Sequence, residues 1–187
     1  MTIHWEELLA QAFRVDNPRR METLWKRSLD KVERLRSGRE GGPSRALVVL
    51  GNQGGVLQVC GADSYGQAFI EMAGLTNPAS TVSGGPGGAG QVTVSMEQIN
   101  AWNPEVVYCV LGATASELLG NRVSGQDWSF TEAFRTGRIF DVPRGTYSWG
   151  MPCADSPLMP LWLLSTLEPE VYGPNYQIGR ASCRERV

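Results

Sequence analysis

The sequence predicts an α/β fold: a three-layer lobe with a mostly parallel central sheet, preceded by a long helix. Three observations lead there. Short apolar runs at 45–51, 105–112 and 138–143 have the length and β-branched content of buried strands. Stretches of helical periodicity separate these runs. Ahead of the first run, one apolar stripe continues for about 20 residues, or roughly 30 Å of helix.

Taken in order, Trp5, Leu8, Leu9, Ala12 and Phe13 recur at helical spacing before "DNP" interrupts. Asn17 is a suitable N-cap and Pro18 suits the first helical position. Met21, Leu24, Trp25, Ser28, Val32 and Leu35 then form one face, ending at Gly38, opposite a strongly charged face. "RALVVLG" (45–51) is a buried strand, and "VLQVCG" (56–61), after "NQGG", is its hairpin partner or a continued edge.

"SYGQAFIEMAGL" (64–75) has Phe69, Met72 and Ala73 at helical spacing and closes at Gly74. "QVTV" is a brief strand. Ser95 caps the helix in "SMEQINAWN", with Pro104 just beyond its end. "EVVYCVLG" (105–112) is the second buried strand. Short helices in "TASELLGN" and "WSFTEAFRTG" lead to the third strand, "RIFDVP" (138–143). A last helix in "DSPLMPLWLLSTLEPE" turns Leu158, Leu161, Trp162 and Leu164 inward.

The net charge is −2, too small to favour nucleic acid or an anionic membrane surface, and no run of about 18 apolar residues spans a bilayer. The cysteines, Cys60, Cys109, Cys153 and Cys183, form no CxxC pair, and the single histidine, His4, is far from all of them. That spacing does not suit zinc or an iron–sulfur cluster; Cys60 and Cys109 have the setting of buried apolar side chains. Nor can a Ser–His or Cys–His pair assemble, and the carboxylates of Glu71, Glu97, Glu117, Asp127, Asp141 and Asp155 share no motif.

The glycine stretch "GGPGGAG" (84–90) invites a phosphate reading. A P-loop needs a lysine to reach the phosphates, and no lysine follows Lys31. A dinucleotide fingerprint leads from a strand into a helix, whereas this stretch leads into "QVTV". "PRGTYSWGMP" (143–152) instead sets Tyr147 and Trp149 among turn-forming residues, where aromatic rings either contact a ligand or cap the core.

Several segments together carry a resemblance. "VSMEQINAWNPEVVYCV", "QVCGADSYGQAFIEMAGLTNPA", "WSFTEAFRTGRIFDVPRGTYSW" and "PLWLLSTLEPEVY" are similar, in this order, to signature segments of helical-backbone periplasmic substrate-binding proteins. Those proteins serve ABC importers for iron–siderophores, haem and cobalamin. The similarity runs over roughly residues 20 to 172.

The resemblance implies two α/β lobes joined by a rigid helix, with ligand held between them. Residues 1–38 would contain that helix (17–37), and 45–177 would be the C-terminal lobe. The N-terminal lobe and an export signal would lie outside these residues, and the full-length protein would be periplasmic or a cell-surface lipoprotein. Residues 178–187, "IGRASCRERV", resemble a translated sequencing adapter and are expected to be non-native.

The resemblance also implies roles. Glu97 would dock on arginines of the ABC permease. Asn52, Gly85, Gly87, Gly88, Thr114, Tyr147 and Trp149 would face the cleft from loops at one end of the sheet. Because iron-ligating His or Tyr clusters are lacking, a chelated-iron, haem or corrinoid ligand stacked on aromatics is expected, with neither cofactor nor catalysis. The alternative is a cytoplasmic α/β enzyme that uses the glycine stretch for a nucleotide or phosphate cofactor.

Overall fold

A computed structural model of the chain describes residues 11–12, 19–38, 42–53, 56–84 and 90–167. Helix α1 (Arg20–Ser37) comes first, followed by β1 (Ala46–Gln53) and β2 (Val56–Cys60). Then come α2 (Tyr65–Met72), a 3-10 turn (Pro78–Thr81), β3 (Gln91–Val94), α3 (Met96–Trp102) and β4 (Val106–Cys109). The chain continues through α4 (Ala115–Leu119), α5 (Glu132–Arg135), β5 (Ile139–Asp141), a second 3-10 turn (Ser156–Leu158) and α6 (Met159–Leu167).

The five strands form one sheet in the order β3-β2-β1-β4-β5. β1, β4 and β5 run parallel, with Ala46 opposite Val106 and Val107 opposite Ile139. β2 folds back antiparallel on β1, and β3 pairs antiparallel with β2. "VLQVCG" is therefore a hairpin partner, and a parallel half of the sheet is extended by an antiparallel one.

Alternation along the strands divides the core in two. Ala46, Val48, Val106 and Tyr108 face α1, α2 and α6, whereas Leu47, Val49, Val107 and Cys109 face α3, α4 and α5. Each fully buried aliphatic side chain of this kind contributes about 1.5–3 kcal/mol. This is the three-layer lobe expected from the periodicity.

In α1, Ser28 and Val32 are buried and Trp25 and Leu35 half-buried, but Leu24 lies on the exposed side. Trp25 stacks on Phe69 of α2 at 6.3 Å between ring centres. Asn17 and Pro18, expected at the start of this helix, lie outside the described residues, as does the stripe from Trp5 to Leu9.

In α6 the buried set is Met159, Pro160, Leu161, Leu163, Leu164 and Leu167; Trp162, and Leu158 in the turn before the helix, are half-buried. Its inward face is thus wider than the predicted stripe. Leu158 and Trp162 also pack against the core, Trp162 lying on fully buried Tyr108 with ring centres 5.4 Å apart. Among the described residues no helix is long and apolar enough to cross a membrane.

Candidate ligand-facing end of the sheet

Strand register sorts the loops. β1, β4 and β5 finish at Gln53, Cys109 and Asp141, at one end of the sheet. Because Gln53 pairs with Val56 and Leu57 with Val94, β2 starts and β3 finishes at that same end. The segments after β1, β3, β4 and β5 therefore gather there, which is where open α/β sheets present ligand sites.

Asn52 is the penultimate residue of β1, and its Oδ1 accepts a hydrogen bond from Gln126 Nε2 at 3.0 Å. Gln126 Oε1 in turn accepts from the indole of the fully buried Trp128 at 3.1 Å. Thr114 is the exposed N-cap of α4: its Oγ1 accepts from the Glu117 backbone N–H at 3.3 Å, and Glu117 Oε2 accepts from the Thr114 N–H at 3.0 Å. Such a capping box fixes the turn after β4. Asp141, at the end of β5, accepts from the Ala115 N–H at 2.8 Å and ties the two loops together.

The two loop aromatics part company. Tyr147 is 54 % exposed, whereas Trp149 is 2 % exposed and packs into the core beneath α1, α2 and α6. Trp149 therefore caps the core, and Tyr147 alone of the pair is presented at the surface. Trp149 Nε1 and Ser148 Oγ are buried with no hydrogen-bond partner among the described residues.

Glu97 is exposed in the first turn of α3, directly after β3, and so lies at the same end of the sheet near its β3 edge. Ser95 caps this helix, its Oγ accepting from the Gln98 N–H at 3.3 Å. The Ser95 hydroxyl beside Glu97, aided by the backbone, holds its carboxyl below the usual carboxylate range. The group stays charged through mildly acidic conditions.

Gly85, Gly87 and Gly88 lie outside the described residues, but the flanks of their stretch are well placed. Gln91 pairs with Cys60 at the far end of β2, and the Gly90 carbonyl accepts from the Gly61 N–H at 2.7 Å. These anchors sit at the opposite end of the sheet from Asn52 and Thr114. The expectation that all the candidate loops share one end does not hold for the anchors of this one. The physical reason is the antiparallel hairpin, which sends β2 away before the glycines return the chain as β3.

Sequence reasoning missed Gln126, which locks Asn52, and Asp155, which accepts from both the N–H and the Oγ1 of Thr146 at 2.7 and 2.9 Å. Nothing periodic connects these residues to their partners. Asp127 is held below the usual carboxylate range mainly by the Ser129 hydroxyl, with the Ser129 N–H and Asn121 adding to it. The hydrogen bonds that Asp127 accepts from Asn121 and Ser129 shape the loop before α5.

Burial pushes the Cys60 and Cys109 thiols up, to about 11 and about 12, so both stay protonated at neutral pH. Iodoacetamide at pH 7.5 should modify the half-buried Cys153 well before either of them, as read by peptide mass spectrometry. Equal labelling of all three in the folded chain would contradict this packing.

The sequence profile of the periplasmic binding protein family matches residues 4–145, and the chain belongs to that family. No curated protein sequence matches it. Among solved structures, a periplasmic solute-binding protein from Veillonella parvula is similar at 25 % identity and a TM-score of 0.75, covering 92 % of this chain and 51 % of that one. Helicobacter pylori CeuE, in a nickel–histidine complex, shares the fold at 17 % identity and a TM-score of 0.73, covering 95 % and 53 %. The periplasmic haem-binding protein HutB of Vibrio cholerae does so at 21 % identity and a TM-score of 0.66, covering 87 % and 61 %. The chain thus spans about half the length of the first two structures it resembles.

Proposed function

We propose that this chain is the C-terminal lobe of an extracytoplasmic substrate-binding protein that delivers a chelated-iron, haem or corrinoid ligand to an ABC permease. The observation that carries the reading is the gathering of Asn52, Thr114 and exposed Tyr147 at the C-terminal end of the parallel strands. Family membership supports a binding role, and the haem-binding neighbour supports a macrocyclic ligand class. In this reading α1 is the helix that joins the lobes, and the opposing lobe completes the cleft. Fixed polar groups on Asn52 and Thr114 would orient the ligand and the Tyr147 ring would stack on it.

Tyr147→Ala should weaken hemin binding about tenfold, the loss of one well-placed ring contact, as followed by Soret absorbance. Unchanged affinity would remove Tyr147 from the site.

Glu97 is the proposed permease contact: charged, exposed and at the same end as the ligand loops. Glu97→Lys should leave hemin affinity unchanged while cutting uptake in cells at least about tenfold, as for a broken interfacial charge pair. Lost hemin affinity with intact uptake would count against docking.

The rival reading, a cytoplasmic enzyme with a nucleotide or phosphate on the glycine stretch, draws no support from the described flanks. Gly90 packs at the start of α2, where the Ser64 hydroxyl already accepts from the Gln67 N–H at 3.0 Å.

A further inference from the structure

After β5 the chain leaves the ligand-facing end as a strap, residues 142–155, with Tyr147 near the tip of its turn. The strap turns back on itself through hydrogen bonds from the Gly145 N–H to the Tyr147 carbonyl at 2.9 Å and from the Trp149 N–H to the Pro143 carbonyl at 3.1 Å. A single carboxylate then ties the tip to the base. Asp155 Oδ2 accepts from both the N–H and the hydroxyl of Thr146, the residue immediately before Tyr147.

The fit around this carboxylate is close. A Cβ on Gly145 would overlap Asp155 Oδ2 and stand 3.1 Å from Trp149 Nε1, so a larger residue there would push the carboxylate aside. Asp155 itself rests on a fixed base. The next residue, buried Ser156, donates to the Met151 carbonyl and accepts from the Cys153 N–H, both at 2.9 Å. The Pro157 carbonyl then accepts from buried Ser28 of α1. Trp149 pins the far side of the strap in the core.

We infer that Asp155 is a positioning residue: it fixes Tyr147 at the ligand-facing end and acts on ligand affinity through that ring. The inference rests on the proposed ligand role of Tyr147. A carboxylate that merely shaped a surface turn would leave ligand affinity alone.

The test uses Asp155→Ala, Asp155→Asn, Tyr147→Ala and the double variant Asp155→Ala/Tyr147→Ala in the full-length gene product. Amide hydrogen exchange is read at Thr146, and hemin affinity by Soret titration. Asp155→Ala should speed Thr146 exchange at least about tenfold, as expected for a lost charge-assisted hydrogen bond. Asp155→Asn, which keeps an acceptor oxygen, should restore most of the protection. Asp155→Ala should weaken hemin binding, and the double variant should bind no more weakly than Tyr147→Ala alone.

Unchanged Thr146 exchange in Asp155→Ala, or losses in affinity that multiply in the double variant, would overturn the proposal. If the wild-type protein ignores hemin, affinity is read with whichever of a ferric siderophore and cyanocobalamin it binds; binding of none of the three would overturn the ligand half together with the functional reading beneath it. Thr146 exchange alone would then decide the positioning half.

Discussion

Trp128→Ala should lower the unfolding free energy by about 3–5 kcal/mol, a large share of the roughly 5–15 kcal/mol typical of a domain. The side chain is fully buried in the core cluster that also holds Leu47, Val49 and Val107, so its removal leaves a cavity in that layer. It also removes the indole donor to Gln126 Oε1, whose amide holds Asn52. Trp128→Phe separates the two contributions. It keeps most of the volume but strands a buried carbonyl oxygen, and should cost about 1–3 kcal/mol. Urea denaturation followed by circular dichroism reads both. A loss below about 1 kcal/mol for the alanine variant would contradict the packing described for this layer.

The second large effect is expected at the end of the glycine stretch. Gly90 has φ +73°, a left-handed conformation that costs a side-chain-bearing residue about 1–2 kcal/mol. Space is also lacking, because a Cβ there would overlap the Ser64 nitrogen and Cα and the Asp63 carbonyl carbon. These are backbone atoms at the start of α2, which cannot swing aside as a flexible side chain would. Gly90→Ala should therefore cost about 3 kcal/mol or more and displace the β2–β3 pairing. A near-neutral variant by the same denaturation measurement would show that this close approach is not tight.

Much of the fold could be read from local pattern. The strands at 45–51 and 105–112 have continuous apolar cores because β1 and β4 lie inside the sheet with helices packed on both faces. Ser95 was legible as a cap because a hydroxyl before a periodic run has a local reason to be there. The direction of "VLQVCG" was not legible, since a short apolar strand looks the same paired either way. Only the pairing of Gln53 with Val56 decides it.

The site was harder to read for the same reason. Composition marks 84–90 as turn-forming, but which end of the sheet it occupies depends on the direction of β2. Tyr147 and Trp149 are two positions apart in one polar loop, yet the hydrogen bond from Trp149 back to Pro143 turns one ring inward and leaves the other exposed. Gln126 reaches Asn52 across 74 residues and Asp155 reaches Thr146 across nine, separations that no helical or strand period encodes.

The most direct measurement is ligand-induced protection from hydrogen exchange. The full-length gene product is titrated with hemin, a ferric siderophore, cyanocobalamin and ATP. The expected result is saturable one-to-one binding of one of the first three, with protection at 52–53, 111–114 and 144–148 and none at 83–84 or 90–91. Binding of ATP with protection confined to 83–91, or no binding of any chelate, would contradict the assignment of this lobe to chelate capture.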